Sequence, residues 1–206
     1  MRLQPHRARY RILDAAGATA GHEQLSVERS PGGFHLTSSL RTTYPAAVEV
    51  ELQWQLDADL VTRLLYIHSR DAWGEEYEIE ATVTGNGMLA HRSAPGGPTQ
   101  VELGWGPAVE FDYISAAFPA VIMARTFSSG ATVRGVDAVE LGVEDLVPVV
   151  VVRSYRRASG QSDGITARCV TAATGHVALI EVAPSGMLRR YEGLLELEAP
   201  AGEPTK

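Results

Sequence analysis

Carboxylates are the residues of this chain that could most readily do chemistry, because two of them facing each other across a cleft can act as general acid and general base. The middle of the chain supplies a dense set: Asp57, Asp59, Asp71, Glu75, Glu76, Glu78 and Glu80. Strand periodicity argues against such a role. Glu49 and Glu51, like Glu78 and Glu80, occupy the polar positions of alternating segments, where charge maintains solubility and prevents edge pairing.

Nucleophilic and metal chemistry need other residue types. Cys169 lies in an apolar segment, as a small core residue would, and we expect no serine in a nucleophile elbow. The histidines are scattered singly, without a pair at metal-ligand spacing: His6, His22, His35, His68, His91 and His176. We therefore expect no catalytic residue, no metal and no cofactor. An enzyme whose site combines Asp112 with a histidine stays open as a third reading.

Aromatic side chains are better candidates, for binding rather than catalysis. A curved sheet that does not fill its own concavity leaves an apolar pocket, which aromatic residues on the inner face would line. Arginines at the rim would hold an acyl chain or a glycolipid headgroup, and Arg189 is one such rim candidate. The predicted ligand-binding residues are Trp54, Phe111, Tyr113, Phe118, Arg125, Arg153, Tyr155 and Tyr191.

The elements that must position these residues are strands. Residues 48–56 alternate apolar and polar side chains without a fault, which predicts a strand roughly 30 Å long at about 3.3 Å per residue. Similar patterns recur along the chain and indicate about nine or ten strands. Long runs of helical period are absent, which excludes a parallel α/β design. The fold class is therefore mainly β (α+β), a single antiparallel, strongly curved sheet or incomplete β-barrel.

Two local signals refine this picture. Ser115 to Arg125 carries apolar residues at helical spacing after an N-cap residue, which favours a short helix around 115–125; the alternative is an irregular loop between strands. In Ala183-Pro184-Ser185-Gly186, proline and glycine suit the second and fourth positions of a type I turn. The strands on either side of it should form a hairpin.

Residues 147–153 are apolar on both faces, which predicts a central strand covered on both sides. The second cover could be an apolar ligand cavity, a packed helix or a dimer interface, and the last two are favoured. A rival function follows from this strand. The protein would form a homodimer through an apolar sheet face and bind no small molecule.

Composition limits location and partners. With 206 residues, 45% of them hydrophobic, we expect one domain over 1–198 and a disordered tail over 199–206. A net charge of −7 with scattered basic residues argues against nucleic acid. No long apolar run follows the N-terminal arginines, so we expect no signal peptide, no transmembrane segment and a cytoplasmic location, which a single cysteine also favours.

Several segments, taken in order, resemble one known family. Residues 50–63 are similar to a strand ending in an Asp-x-x-(aromatic)-x-Thr-Arg element, and residues 181–194 to a hairpin ending in Tyr-x-Gly-Leu. Residues 112–115, Phe118-Pro119 with Arg125, and 149–156 fall between them in the expected order. This order resembles the bacterial glycolipid-binding protein family, whose fold is similar to the open β-barrel of lipoprotein carriers. The resemblance implies a non-catalytic protein that holds a glycolipid or other lipid.

Overall fold

The strands form a single curved sheet. The structure, a computed structural model, describes residues 2–84, 87–103, 110–128, 133–158 and 164–198. Their elements in chain order are β1 (His6–Leu13), β2 (Thr19–Ser30), β3 (Gly33–Thr42), β4 (Val48–Asp57), β5 (Thr62–Asp71), β6 (Glu76–Thr84), β7 (Gly87–Ser93), β8 (Thr99–Leu103), β9 (Glu110–Asp112), α1 (Ala117–Ser128), β10 (Val133–Leu141), β11 (Pro148–Arg157), β12 (Ile165–Thr171), β13 (Val177–Val182), β14 (Leu188–Tyr191) and β15 (Leu195–Leu197). The predicted tail, 199–206, lies outside these residues.

Strand order follows from hairpins. The sheet runs β8-β7-β6-β5-β4-β3-β2-β1-β15-β14-β13-β12-β11-β10-β9, so consecutive strands are neighbours and β1 pairs with β15. The edges, β8 and β9, are not paired with each other. Curvature nevertheless brings the two ends of the sheet near each other. The Arg92 side chain on β7 donates a 2.7 Å hydrogen bond to the Asp145 carbonyl in the β10–β11 turn, which shows how close they are. The prediction of a single strongly curved sheet is confirmed.

Two details of that prediction are wrong. There are fifteen strands in the described ranges rather than nine or ten. Two of the reasons are that β2 is too polar to be recognised and that only a short turn separates β14 from β15. One pair, β9 with β10, is parallel rather than antiparallel. Parallel neighbours need a crossover, and α1 supplies it between these two strands.

Helix α1 occupies the concavity of the sheet. Residues 117–124 are all buried, as expected for a helix that is apolar on every side. On one side the Phe118 ring lies 4.8 Å from the Trp54 ring of β4, and elsewhere the helix contacts β9, β13 and β14. The predicted helix is confirmed over 117–128, and the alternative of an irregular loop is wrong. No helix in the described part of the chain is long and apolar enough to span a membrane.

Strand β11 differs from its prediction. It is third from the β9 edge rather than central, and Val149, Val150 and Val152 are each more than half exposed. Arg153 and Tyr155 point into the concavity, so Val150 and Val152 alternate onto the outer face, where no second layer packs in the described chain. The prediction that this strand is covered on both faces is therefore wrong for a single copy of the chain.

The predicted hairpin near the C-terminus is confirmed. Strands β13 and β14 are antiparallel neighbours, joined by residues 183–187. The Gly186 N–H donates to the Ala183 carbonyl at 2.9 Å, and Gly186 has φ +84°, a backbone conformation that favours glycine.

Candidate functional site

A cleft of about 490 Å³ opens near the N-terminal end of α1. We call it the Arg153 cleft. Its lining residues are Tyr44, Pro45, Asp112, Tyr113, Ile114, Glu140, Leu141, Val143, Arg153, His176, Tyr191, Glu192, Gly193 and Leu194. Most of them come from the connecting segments at one end of the sheet, since residues 44–45, 113–114, 143, 176 and 192–194 lie between the strands and the helix. The volume is within the range of small-molecule sites, about 300–1,000 Å³.

The charged centre of this cleft is Arg153. Its side chain is 8% exposed and forms ion pairs with Asp112 of β9 and with Glu140 of β10, the latter at 2.8 Å from Nη2. The Arg153 Nε is buried and has no hydrogen-bond partner among the described residues. A buried donor without a partner costs free energy, so a ligand acceptor that reached Nε would be favoured.

Tyrosines form the walls next to this centre. The Tyr113 hydroxyl donates to the Val143 carbonyl at 2.8 Å, and burial raises the pKa of Tyr113 above its usual range. Burial is also the main cause that raises the pKa of Tyr191 to about 12. Both phenols are therefore protonated at neutral pH and can act as hydrogen-bond groups but not as bases.

The thiol behind Arg153 is unreactive for the same reason. Cys169 is 3% exposed, and burial raises the pKa of its thiol, an effect that the nearby Arg153 guanidinium only reduces. The nucleophilic form of cysteine is the thiolate, which a raised pKa disfavours. Cys169 is thus placed as the small core residue that the sequence predicts.

A buried carboxylate positions the start of α1. Glu23 of β2 accepts hydrogen bonds from the Ser38 and Ser115 hydroxyls, both at 2.5 Å, and from the Ala116 N–H at 2.8 Å. Ser115 also accepts the Ala117 N–H at 3.2 Å, as an N-terminal cap does. Burial raises the pKa of Glu23, and these three donors only partly offset that effect. The contacts hold residues 112–114, one wall of the Arg153 cleft, against the sheet.

The structure brings three of the eight predicted ligand-binding residues together. Tyr113, Arg153 and Tyr191 line the Arg153 cleft. Arg125 lies in a different cleft, near the C-terminal half of α1. The remaining four are core residues that are at most 1% exposed and do not line either cleft: Trp54, Phe111, Phe118 and Tyr155. Helix α1 fills the space in which the sequence predicts a cavity.

Several residues of the cleft were not predicted. Glu140, Glu192 and Tyr44 come from separate strands and turns, and only the order of strands brings them near Arg153. The sequence suggests a histidine as the partner of Asp112. His176 does line the same cleft, but Asp112 is paired with Arg153 instead. No local spacing signals such a group, because turns contribute residues that are far apart in the chain.

One serine does have nucleophile-elbow spacing, in Gly160-Gln161-Ser162-Asp163-Gly164, contrary to our expectation. Ser162 itself lies outside the described residues. The flanking elements are strands β11 and β12, whereas an elbow leads from a strand into a helix. Among the residues that the structure describes, no group of three His, Cys, Asp or Glu residues could hold a metal ion.

Solved structures of other proteins are similar to this chain. The crystal structure of a DUF1089 family protein from Pseudomonas aeruginosa has a TM-score of 0.58 and 14% identity, covering 84% of this chain and 91% of its own. A β-barrel-like protein of domain of unknown function DUF1849 from Brucella abortus has a TM-score of 0.60 and 13% identity, covering 96% of this chain and 99% of its own. At these identities the likeness shows a β-barrel-like fold alone. No family model and no curated protein matches the chain.

Proposed function

We propose that this chain is a non-catalytic binding protein that holds the uncharged polar headgroup of an amphiphile, such as a glycolipid, in the Arg153 cleft. The observation that carries the proposal is the convergence of a buried guanidinium, three carboxylates and three tyrosines around one cleft of about 490 Å³. Pockets that combine apolar walls with a few convergent polar groups are typical of ligand sites.

The charges of the cleft favour a neutral headgroup. Arg153 is its one arginine, whereas Asp112, Glu140 and Glu192 supply three carboxylates, so an anionic headgroup would meet net repulsion. Sugar hydroxyls can donate to carboxylates and accept from the Arg153 Nε. Apolar atoms of the same ligand would contact the aliphatic part of the lining, Ile114, Leu141, Val143 and Leu194.

The state of the polar groups supports binding rather than catalysis. Asp112 and Glu140 both form ion pairs with Arg153, so the guanidinium already occupies an oxygen atom of each carboxylate. Burial raises the pKa of the Cys169 thiol and of the Tyr113 and Tyr191 phenols, so none of them is a ready nucleophile or base at neutral pH.

Octyl glucoside monomers, below the concentration at which they form micelles, are a suitable probe. We expect the wild-type protein to bind them in isothermal titration calorimetry. The Glu140→Gln variant should bind about tenfold more weakly, since a neutral hydrogen-bond acceptor replaces a charged one. Glu140 has a half-exposed side chain (50%), so the variant should fold normally.

Glu49→Gln is the matched control, because Glu49 is also paired with an arginine and is 51% exposed, but lies on the outer face of β4. Its affinity for octyl glucoside should equal that of the wild type. Absence of binding to the wild type, or equal binding by Glu140→Gln, would contradict the proposal.

The outer face of β11 and β13 favours a second candidate, a homodimer. Its exposed apolar residues, which we call the valine face, are Val150, Val152, Val177 and Leu179. They alternate with inward-facing residues and share one side of the sheet with Val170 of β12, which pairs with Val177. Contiguous apolar patches of this kind mark interaction sites.

Charges around the valine face suit a second copy of the chain. Arg156 and Arg168 are adjacent and exposed at one end, and Arg168 pairs with Leu179. Asp137 is exposed beside Val152 on the β10 side. A two-fold axis through the face would place the arginines of one copy near the Asp137 of the other, which is the self-complementary arrangement of an isologous dimer.

Sedimentation equilibrium tests this candidate. We expect Val152→Asp to weaken dimer formation at least tenfold, because it buries a carboxylate in the interface beside Asp137. Gln53→Asp, on the outer face of β4, should leave the dimer constant unchanged. A wild-type chain that stays monomeric at high concentration would rule out the homodimer and leave the ligand-binding proposal intact.

A further inference from the structure

A second cleft, of about 330 Å³, lies at the opposite end of the sheet from the Arg153 cleft. It is formed by the N-terminal segment, the adjoining ends of β2 and β3, the β4–β5 turn and the C-terminal half of α1. Strand β3 runs from this end to the other, and its ten residues span roughly 30 Å. The guanidinium-bearing residues Arg2, Arg29 and Arg125 line this cleft, which we call the arginine cleft.

Positive charge is concentrated here although the whole chain carries −7. Asp59 is the one carboxylate among the lining residues, against three arginines. Arg2 and Arg29 form no ion pair with any residue that the structure describes. The Arg29 guanidinium lies 5.6 Å from the centre of the Phe34 ring, a cation–π contact that leaves its N–H groups available.

The third arginine is held in place by the protein. Arg125 Nη1 lies 3.0 Å from the Glu110 carboxylate, and its Nε donates to the Leu60 carbonyl at 3.1 Å. Its side chain is only 10% exposed, so its position varies little. Glu110 also forms an ion pair with Arg134 at 3.3 Å, so the same carboxylate contacts two guanidinium groups.

We propose that the arginine cleft binds a phosphate group carried by an alkyl chain. Guanidinium groups match phosphate oxygens with paired, charge-assisted hydrogen bonds, and Arg2 and Arg29 have such donors to offer. The apolar lining residues, Leu3, Phe34 and Leu60, would contact the first carbons of the alkyl chain. This ligand class is anionic, whereas the headgroup proposed for the Arg153 cleft is uncharged, so the proposal stands independently of the proposed function.

Octyl phosphate and inorganic phosphate, titrated separately in a calorimeter, test the proposal and distinguish its two sources of phosphate. We expect wild-type protein to bind octyl phosphate, with an affinity that falls as salt is added. The Arg2→Gln, Arg29→Gln double variant should bind at least tenfold more weakly, because two charge-assisted contacts are lost. Both side chains are exposed, so the variant should fold.

Arg41→Gln is the control, since Arg41 is an exposed arginine at the far end of β3. Its affinity for octyl phosphate should be unchanged. Binding of octyl phosphate well above that of inorganic phosphate supports a lipid headgroup. Equal binding of the two overturns the alkyl part of the proposal. Undetectable binding by the wild type, or equal octyl phosphate binding by the double variant, overturns it altogether, whatever octyl glucoside does at the other cleft.

Discussion

Glu23→Ala is expected to lower the free energy of unfolding by about 3 kcal/mol or more, one of the largest effects of any single change in this chain. The physical reason is the loss of one buried acceptor that serves three donors. The Ser38 and Ser115 hydroxyls and the Ala116 N–H would all be left in the core without their partner. Urea unfolding followed by far-UV circular dichroism measures the effect.

Glu23→Gln separates this acceptor role from the charge. Gln keeps an oxygen acceptor of similar shape, so the variant should lose much less stability than Glu23→Ala at neutral pH. It should also change the pH dependence. Burial raises the pKa of Glu23 above 4.5. Between the unfolded and the folded pKa of this carboxyl, the folded state therefore binds more protons than the unfolded state.

The sign of this effect is unusual for a carboxyl group. The contribution of Glu23 to stability is greatest below the unfolded pKa of about 4.5 and decreases as pH rises through the folded pKa. Glu23→Gln should remove that decrease. A wild-type stability that does not fall more steeply than that of Glu23→Gln above pH 4.5 would contradict the raised pKa of this carboxyl.

Trp54→Ala and Phe118→Ala are each expected to destabilise the protein by about 3–5 kcal/mol, the usual cost of removing a large buried aromatic side chain. The two rings lie 4.8 Å apart and hold α1 against β4. Trp54 Nε1 also donates to the Thr62 hydroxyl at 3.1 Å, which would be left without that donor. Thermal unfolding monitored by circular dichroism checks the prediction.

Trp73→Ala provides a matched control. Trp73 is 82% exposed, so its removal should change the free energy of unfolding by less than about 0.5 kcal/mol.

One result for Trp54→Ala would contradict the prediction that Trp54 is a packed core residue. If Trp54→Ala kept wild-type stability but lost octyl glucoside binding, Trp54 would line a ligand cavity, as the sequence analysis predicts, rather than the packed core.

The two clefts, at opposite ends of the sheet, have lining residues of opposite net charge. Carboxylates outnumber the single arginine in the Arg153 cleft, whereas arginines outnumber the single carboxylate in the arginine cleft. Helix α1 lies between them, with its start held by Glu23 and its last turns by the Arg125 contacts. The same helix therefore fills the concavity and positions residues of both clefts. Its packing leaves space for a ligand at the two ends of the curved sheet and not in the middle.

The sequence by itself determined the clearly alternating strands, such as β4, and which of their faces is buried. In β4 the alternation predicts the burial of Val48, Val50, Leu52, Trp54 and Leu56, and all five are buried in the structure. The turn at Pro184 and the helix after Ser115 were also predictable. These features depend on local backbone geometry, in which the period of two along a strand and the residue types of a turn act over a few positions.

Only the tertiary structure decided what each buried face meets. The alternation of apolar and polar residues shows that the Phe111 and Tyr155 side chains are buried. It does not show that α1 fills the space that a ligand was expected to occupy. Asp112 and Arg153 are 41 positions apart, and the ion pair between them depends on β9 lying beside β10 and β10 beside β11. Likewise, Val150 and Val152 are exposed because nothing packs outside β11 in the described chain. Strand order and the packing of α1 arise from long-range contacts, which no local periodicity encodes.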